Sequence, residues 1–300
     1  METSSYEEQL AREGEIWGRA ARDLAARIPP DWREHRKRLR HNIVFQGANI
    51  DEFLNHIRPG MRVLDLGCGA GWLTLAMAQR GAEATGIDIS AESLNVAREY
   101  YESIRHEVPG SVRYEIADLN QVSLTAGTYD VIAVCGALHH LTNARHTIEE
   151  AHQALRPGGL FWASDLLGEE SRAAAVLTGA LMFLLPIEIS YRDKFAGLFR
   201  FGLHSPERVK AALEGEGFSP FEGAAREEDW FAVLRAQFVV QRAFHFPKIS
   251  HYFAGPEMIR LPDRWSLPIL RGIAALERAL LRIGWLRGTG WVIYARKAAE

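Results

Sequence analysis

The clearest chemical signal in the chain is the run Val63-Leu64-Asp65-Leu66-Gly67-Cys68-Gly69-Ala70-Gly71. Glycines at alternate positions let the backbone turn tightly and let a ligand come close to main-chain N–H groups. Two kinds of ligand use such a loop. Dinucleotides take G-x-G-x-x-G, where the third glycine lets the helix pack and the helix amino end holds a pyrophosphate. Here the spacing is G-x-G-x-G, and Trp72 stands where the dinucleotide pattern needs a glycine. Asp65 lies two residues ahead of Gly67; its carboxylate would repel a diphosphate and attract a cation. The plainer role for Asp65 is an N-cap.

Two more acids stand at matching points. Asp88 follows the next apolar strand, about twenty residues on, where a carboxylate can accept both ribose hydroxyl protons. Asp118 follows a third strand. Its side chain could take an adenine amino group while the Leu119 N–H serves a ring nitrogen; alone it would equally be a turn residue. A ligand with an adenosine part and positive charge fits this set. S-adenosyl-L-methionine, with an α-ammonium and a sulfonium, is such a ligand; NAD is disfavoured by Asp65 and Trp72.

These residues need elements to hold them. Apolar runs at 61–66, 82–87, 112–117, 129–135 and 160–164 predict strands. Helical spacing at 51–57, 72–80, 91–104 and 146–155 predicts helices between them, with Ser90 as an N-cap and breaks at 59–60 and 157–159. Such alternation predicts an α/β fold, a doubly wound and mostly parallel sheet with helices on both faces. Ligands of such sheets bind beyond the carboxyl ends of the strands.

The motifs VLDLGCGAG (63–71), GIDIS (86–90), ADL (117–119), YDVIAVCGALHHL (129–141) and LRPGG (155–159) resemble those of class I S-adenosylmethionine-dependent methyltransferases. The resemblance is to the small-molecule subgroup that includes ubiquinone and menaquinone methyltransferases. It covers roughly residues 61–165, a third of the chain. It implies a seven-stranded Rossmann-like sheet whose last strand is antiparallel, supplied here by 291–295. It also implies cofactor contacts from Asp65, Gly67, Cys68, Gly69 and Gly71 in the loop, and from Asp88, Ile89, Asp118, Leu119 and Cys135 beyond it. The chain departs from the family pattern over 223–290, where a short connection is usual.

Methyl transfer from a sulfonium is an in-line displacement, so the protein mainly aligns and dries the reactants. A base is needed only when the acceptor must lose a proton. His139 and His140 follow strand four, and Asp165 ends strand five. A histidine oriented by a carboxylate can take a hydroxyl proton; His140 is favoured of the two. Packing is the competing role for the histidines, and capping of a lid for Asp165. Cys135 reads as a small core residue rather than a nucleophile.

The whole chain bounds the rest. With 47% apolar and 24% charged residues it can build a sizeable core. A net charge of −3 gives no field for nucleic acid. Two cysteines support neither a disulfide framework nor a metal cluster, and suit a reducing compartment, read as the cytoplasm. The start is polar and acidic, unlike a signal peptide, and the apolar stretch 173–186 is too short to span a bilayer.

Four parts follow: an N-terminal helical segment (1–48), the cofactor-binding core (49–165), an inserted helical lid (166–204), and a C-terminal part (205–300) with a helical insertion and closing strand. The basic run 33–41 reads as a solvated helix face. Helices are expected at 205–214, 230–244 and 270–285. Phe183, Tyr191, Phe195, Phe199 and Phe201 form an aromatic stripe, read as a cap packing on itself or a cover over a hydrophobic small-molecule acceptor. The arginine-bearing helix 270–285 is read first as packing internally, with a membrane surface or acidic lipid-linked acceptor as the alternative. A homodimer and a non-catalytic adenosylmethionine-binding protein stay open.

Overall fold

A computed structural model describes residues 5–27, 48–166, 172–187, 189–201, 219–221, 230–246, 249–250, 253, 259–286 and 290–299. The helix expected at 205–214 and the basic run 33–41 lie outside these residues, as do the side chains of Phe199 and Phe201.

Helix α1 (Tyr6–Arg27) comes first, then α2 (Ala48–Leu54) and the alternating core: β1 (Arg62–Leu66), α3 (Trp72–Ala78), β2 (Glu83–Asp88), α4 (Ala91–Ile104), β3 (Ser111–Ile116), β4 (Tyr129–Cys135), α5 (Ala144–Ala154) and β5 (Leu155–Leu166). Helices α6 (Arg172–Leu184), α7 (Tyr191–Phe201) and α8 (Trp230–Gln237) lead to β6 (Val239–Phe246), α9 (Asp263–Arg282) and β7 (Gly290–Arg296). The sheet has seven strands in the order β3-β2-β1-β4-β5-β7-β6. β1 pairs in parallel with both β2 and β4, so the chain reverses its direction of travel across the sheet between them. Helices on either side of that point diverge and leave a crevice at the strands' carboxyl ends. β7 runs antiparallel to both β5 and β6.

Alternation along the strands sends side chains to two separate cores. Val63, Ala84, Val131 and Trp162 pack with α2, α3 and α4, where Phe53 stacks on Trp162 at 4.2 Å. Leu64, Leu66, Ile132, Val134 and Phe161 pack with α5 and α8. A third cluster joins α6 to α9 through Ala174, Met182, Leu270, Ile273 and Ala274. Helix α9 therefore buries one face internally.

Two expectations change. The region 230–244 is not one helix: it ends at Gln237, and 239–246 forms β6. Helical spacing continues through buried Phe238, but β-branched Val239 and Val240 suit the strand that β7 pairs with. The turn at 157–159 is an irregularity within β5, with Gly158 at φ 74° and a register shift opposite Tyr129–Val131.

Candidate active site

Beyond β1, β2 and β4 lies a crevice of about 320 Å³, within the range of small-molecule sites, roughly 300–1,000 Å³. Its floor is the loop Gly67–Ala70 with Trp72; one wall carries Asp88, Ile89 and Ser93, the other Asp118, Leu119 and Asn120. Cys135, Ala137 and His140 close the far end.

The loop conformation explains its glycines. Gly67, Gly69 and Gly71 have φ of 73°, 52° and 76°, a region costly for residues with a Cβ. A Cβ on Gly67 would meet that of Ala137 at 2.3 Å, and one on Gly71 would meet the Tyr114 hydroxyl at 2.2 Å. On Gly69 it would meet nothing within 4 Å. Gly69 thus faces the open side.

Asp88 closes the loop onto β2. Its Oδ2 accepts the Gly69 N–H and its Oδ1 the Ser90 N–H, each at 2.8 Å. Burial raises its pKa, while these N–H groups pull it back down. A carboxylate has about four acceptor positions, and this one lines the crevice, where it could also accept from a ribose hydroxyl. The buried Ser93 hydroxyl on the same wall has no hydrogen-bond partner in the described structure. These observations fit an adenosyl group.

Asp118 is more crowded than expected. Its oxygens accept from the Tyr6 hydroxyl at 2.7 Å, from Asn120 N–H and Nδ2, and from Gln121 Nε2. An adenine amino group would have to displace or share with Tyr6.

Asp65 stands apart. It does not line the crevice; it is 1% exposed and accepts a 2.7 Å hydrogen bond from Thr74 Oγ1 on α3. Alternation explains this: Leu64 and Leu66 face the α5 side, so Val63 and Asp65 face α3. Burial pushes its pKa up to about 7. The folded chain then holds a proton that the unfolded chain releases near 3.8. Stability should accordingly fall as pH rises from 3.8 toward about 7, then level off. In Asp65→Asn that fall should be absent, so melting temperatures of the two proteins compared across the window test it. A wild type that gained on the variant with rising pH would contradict the assignment.

Helix α1 roofs the crevice with Leu10, Glu13, Trp17, Ala20 and Ala21. Gly14 and Gly18 let it lie close on the start of α4: Ser90 Oγ donates to the Gly14 carbonyl at 2.7 Å, and a Cβ at Gly18 would touch that of Glu92 at 2.8 Å. Buried Glu13 accepts from Trp17 Nε1 and from Ser219 Oγ, and lies 3.3 Å from His140 Nδ1. Trp17 meets the His140 ring edge-on at 5.3 Å.

His139 pairs with Asp165 instead, Nδ1 to Oδ1 at 2.5 Å, and Asp165 Oδ2 accepts the Leu138 N–H. The two imidazoles lie 4.0 Å apart, each beside its own carboxylate. Of the three proton-handling candidates only His140 lines the crevice. Burial raises the thiol pKa of Cys68 and of Cys135, which leaves both poor nucleophiles. Among the described residues no group of acidic, histidine and cysteine side chains could hold a metal.

The strand order and the glycine loop are similar to those of class I S-adenosylmethionine-dependent methyltransferases. Residues 63–159 match the family model described as a methyltransferase domain. The chain is 28% identical over 188 residues to the mitochondrial ubiquinone biosynthesis O-methyltransferase of Rattus norvegicus, covering 60% of this chain and 50% of that protein. It is 35% identical over 130 residues to the ubiquinone biosynthesis O-methyltransferase of Azoarcus sp. (strain BH72), covering 42% and 54%. The matches thus span about half the length of these curated relatives. A solved geranyl diphosphate methyltransferase in complex with SAM is 15% identical, with a TM-score of 0.49 over 84% of this chain and 85% of that one.

Proposed function

We propose that the protein transfers the methyl group of S-adenosylmethionine to a hydroxyl oxygen of a small, largely apolar acceptor. The observation that carries this is His140 on the crevice wall with Nδ1 beside the buried carboxylate of Glu13. A carboxylate at Nδ1 favours the tautomer whose Nε2 is the basic nitrogen. The relatives named above, O-methyltransferases by name, agree with an oxygen acceptor.

The bound donor supplies a methyl group activated on sulfonium. The chain's residues do the rest. Asp88, held in place by the Gly69 N–H, takes the adenosyl ribose, Ile89 and Leu119 flank the base, and α1 excludes water. His140 takes the acceptor's proton as the oxygen attacks, and Glu13 balances the imidazolium that forms. Positioning of this kind is worth up to about 7–11 kcal/mol, and a general base typically about 10²–10⁴-fold.

Incubation with tritiated-methyl donor and a panel of small apolar phenols, amines and activated ring carbons tests the reading. Label is expected in the phenols as an ether. Label only in amines or carbons would refute the oxygen assignment. Donor binding with no transfer to the panel or to a metabolite extract would refute the enzyme.

A further inference from the structure

We propose that the outer face of α9 is a docking surface for an anionic lipid membrane, on which the helix lies parallel to the bilayer plane. The buried face of α9 is satisfied by the third hydrophobic cluster. Its outer face is not an ordinary solvated one. Trp265 is 59% exposed and Leu276 is exposed, as is Ile283, 74%, at the helix's C-terminal cap. At helical spacing Trp265, Leu276 and Ile283 fall within about 20° of one another, so they make a single apolar stripe.

The exposed charged side chains that α9 itself presents beside that stripe are arginines. Arg264, Arg271, Arg278 and Arg282 are all exposed and project roughly a third of a turn from the stripe. The helix has two acids. Asp263 is half-buried at its start. Glu277 is buried and accepts from the Ile249 and Ser250 N–H groups and the Ser250 hydroxyl. Arginines beside exposed tryptophan and isoleucine match an interface with negative headgroups above and hydrocarbon below: the apolar side chains sink, and guanidinium groups meet phosphates. No helix among the described residues is long and apolar enough to cross a membrane, which agrees with lying on the surface.

Full-length protein sedimented with mixed phosphatidylglycerol–phosphatidylcholine vesicles, against phosphatidylcholine alone, tests the proposal without donor or acceptor. It is therefore independent of the methyl-transfer reading. Binding is expected to the anionic vesicles only, and to weaken as salt is raised. Arg271→Gln with Arg278→Gln should lower partitioning about fivefold per arginine, roughly 25-fold together. Ile283→Ala should lower it at every salt concentration. Thermal melts unchanged from wild type exclude unfolding as the cause, and the wild-type salt dependence stands without any variant. No vesicle binding, or equal binding to both compositions, would overturn the proposal. So would a dimer in gel filtration that these substitutions dissolve, because the face would then serve a second copy.

Discussion

Asp88→Ala is expected to lose roughly 10²–10³-fold in S-adenosylmethionine affinity, measured by calorimetric titration, with the fold intact. Asp88 sits at the end of β2, and each of its oxygens is already committed to one backbone N–H of the loop or helix beside it. Its side chain lines the crevice. Removing it therefore takes away two charge-assisted bonds to a ribose diol and also frees the Gly69 N–H from its anchor. Asp88→Asn keeps the side chain's volume and one acceptor oxygen, so its loss should be intermediate. The demethylated product should weaken in parallel, because it carries the same ribose. An Asp88→Ala protein binding the donor within twofold of wild type would remove Asp88 from the site.

The second large effect separates two adjacent histidines. His140→Ala should lower kcat about 10²–10⁴-fold and leave donor affinity nearly unchanged. Its ring lines the crevice and its Nδ1 neighbours Glu13. Glu13→Gln should lower kcat less, since the imidazole stays but its orientation and compensating charge are weakened. His139→Ala should behave differently. That ring pairs with the buried Asp165, and its removal strips a partner from a buried carboxylate, a cost typically of about 1–3 kcal/mol or more. Its signature is a lower melting temperature rather than a lower kcat. Equal kcat for wild type and His140→Ala would end the general-base proposal.

The cofactor half of the molecule was legible because its signals are local. Glycine spacing after an apolar strand, and acids one strand apart in order, place a loop and its carboxylates without long-range knowledge. Asp65 shows the limit of that reading: the strand tip was evident, yet alternation turns its side chain toward Thr74 and away from the crevice. The roof could not be read at all. Tyr6 reaches Asp118 across 112 positions, and Glu13 reaches Ser219 across 206, so no short pattern announces either contact. Gly14 and Gly18, four apart on a polar helix, were the available hint of close packing. β6 was misread because α8 runs into it with the helical period unbroken.

The hydrocarbon that α1 lays over the crevice has a consequence for turnover. Leu10, Ala20 and Ala21 line the crevice from above, and hydrocarbon there lowers the effective permittivity, so each Coulomb interaction grows. Methyl transfer converts a positively charged sulfonium into a neutral thioether while leaving the adenosyl contacts unchanged. Under a roof of low permittivity beside Asp88, that single lost charge would distinguish fresh donor from spent donor. On the methyl-transfer reading proposed above, the site would then favour reloading over retention by field alone.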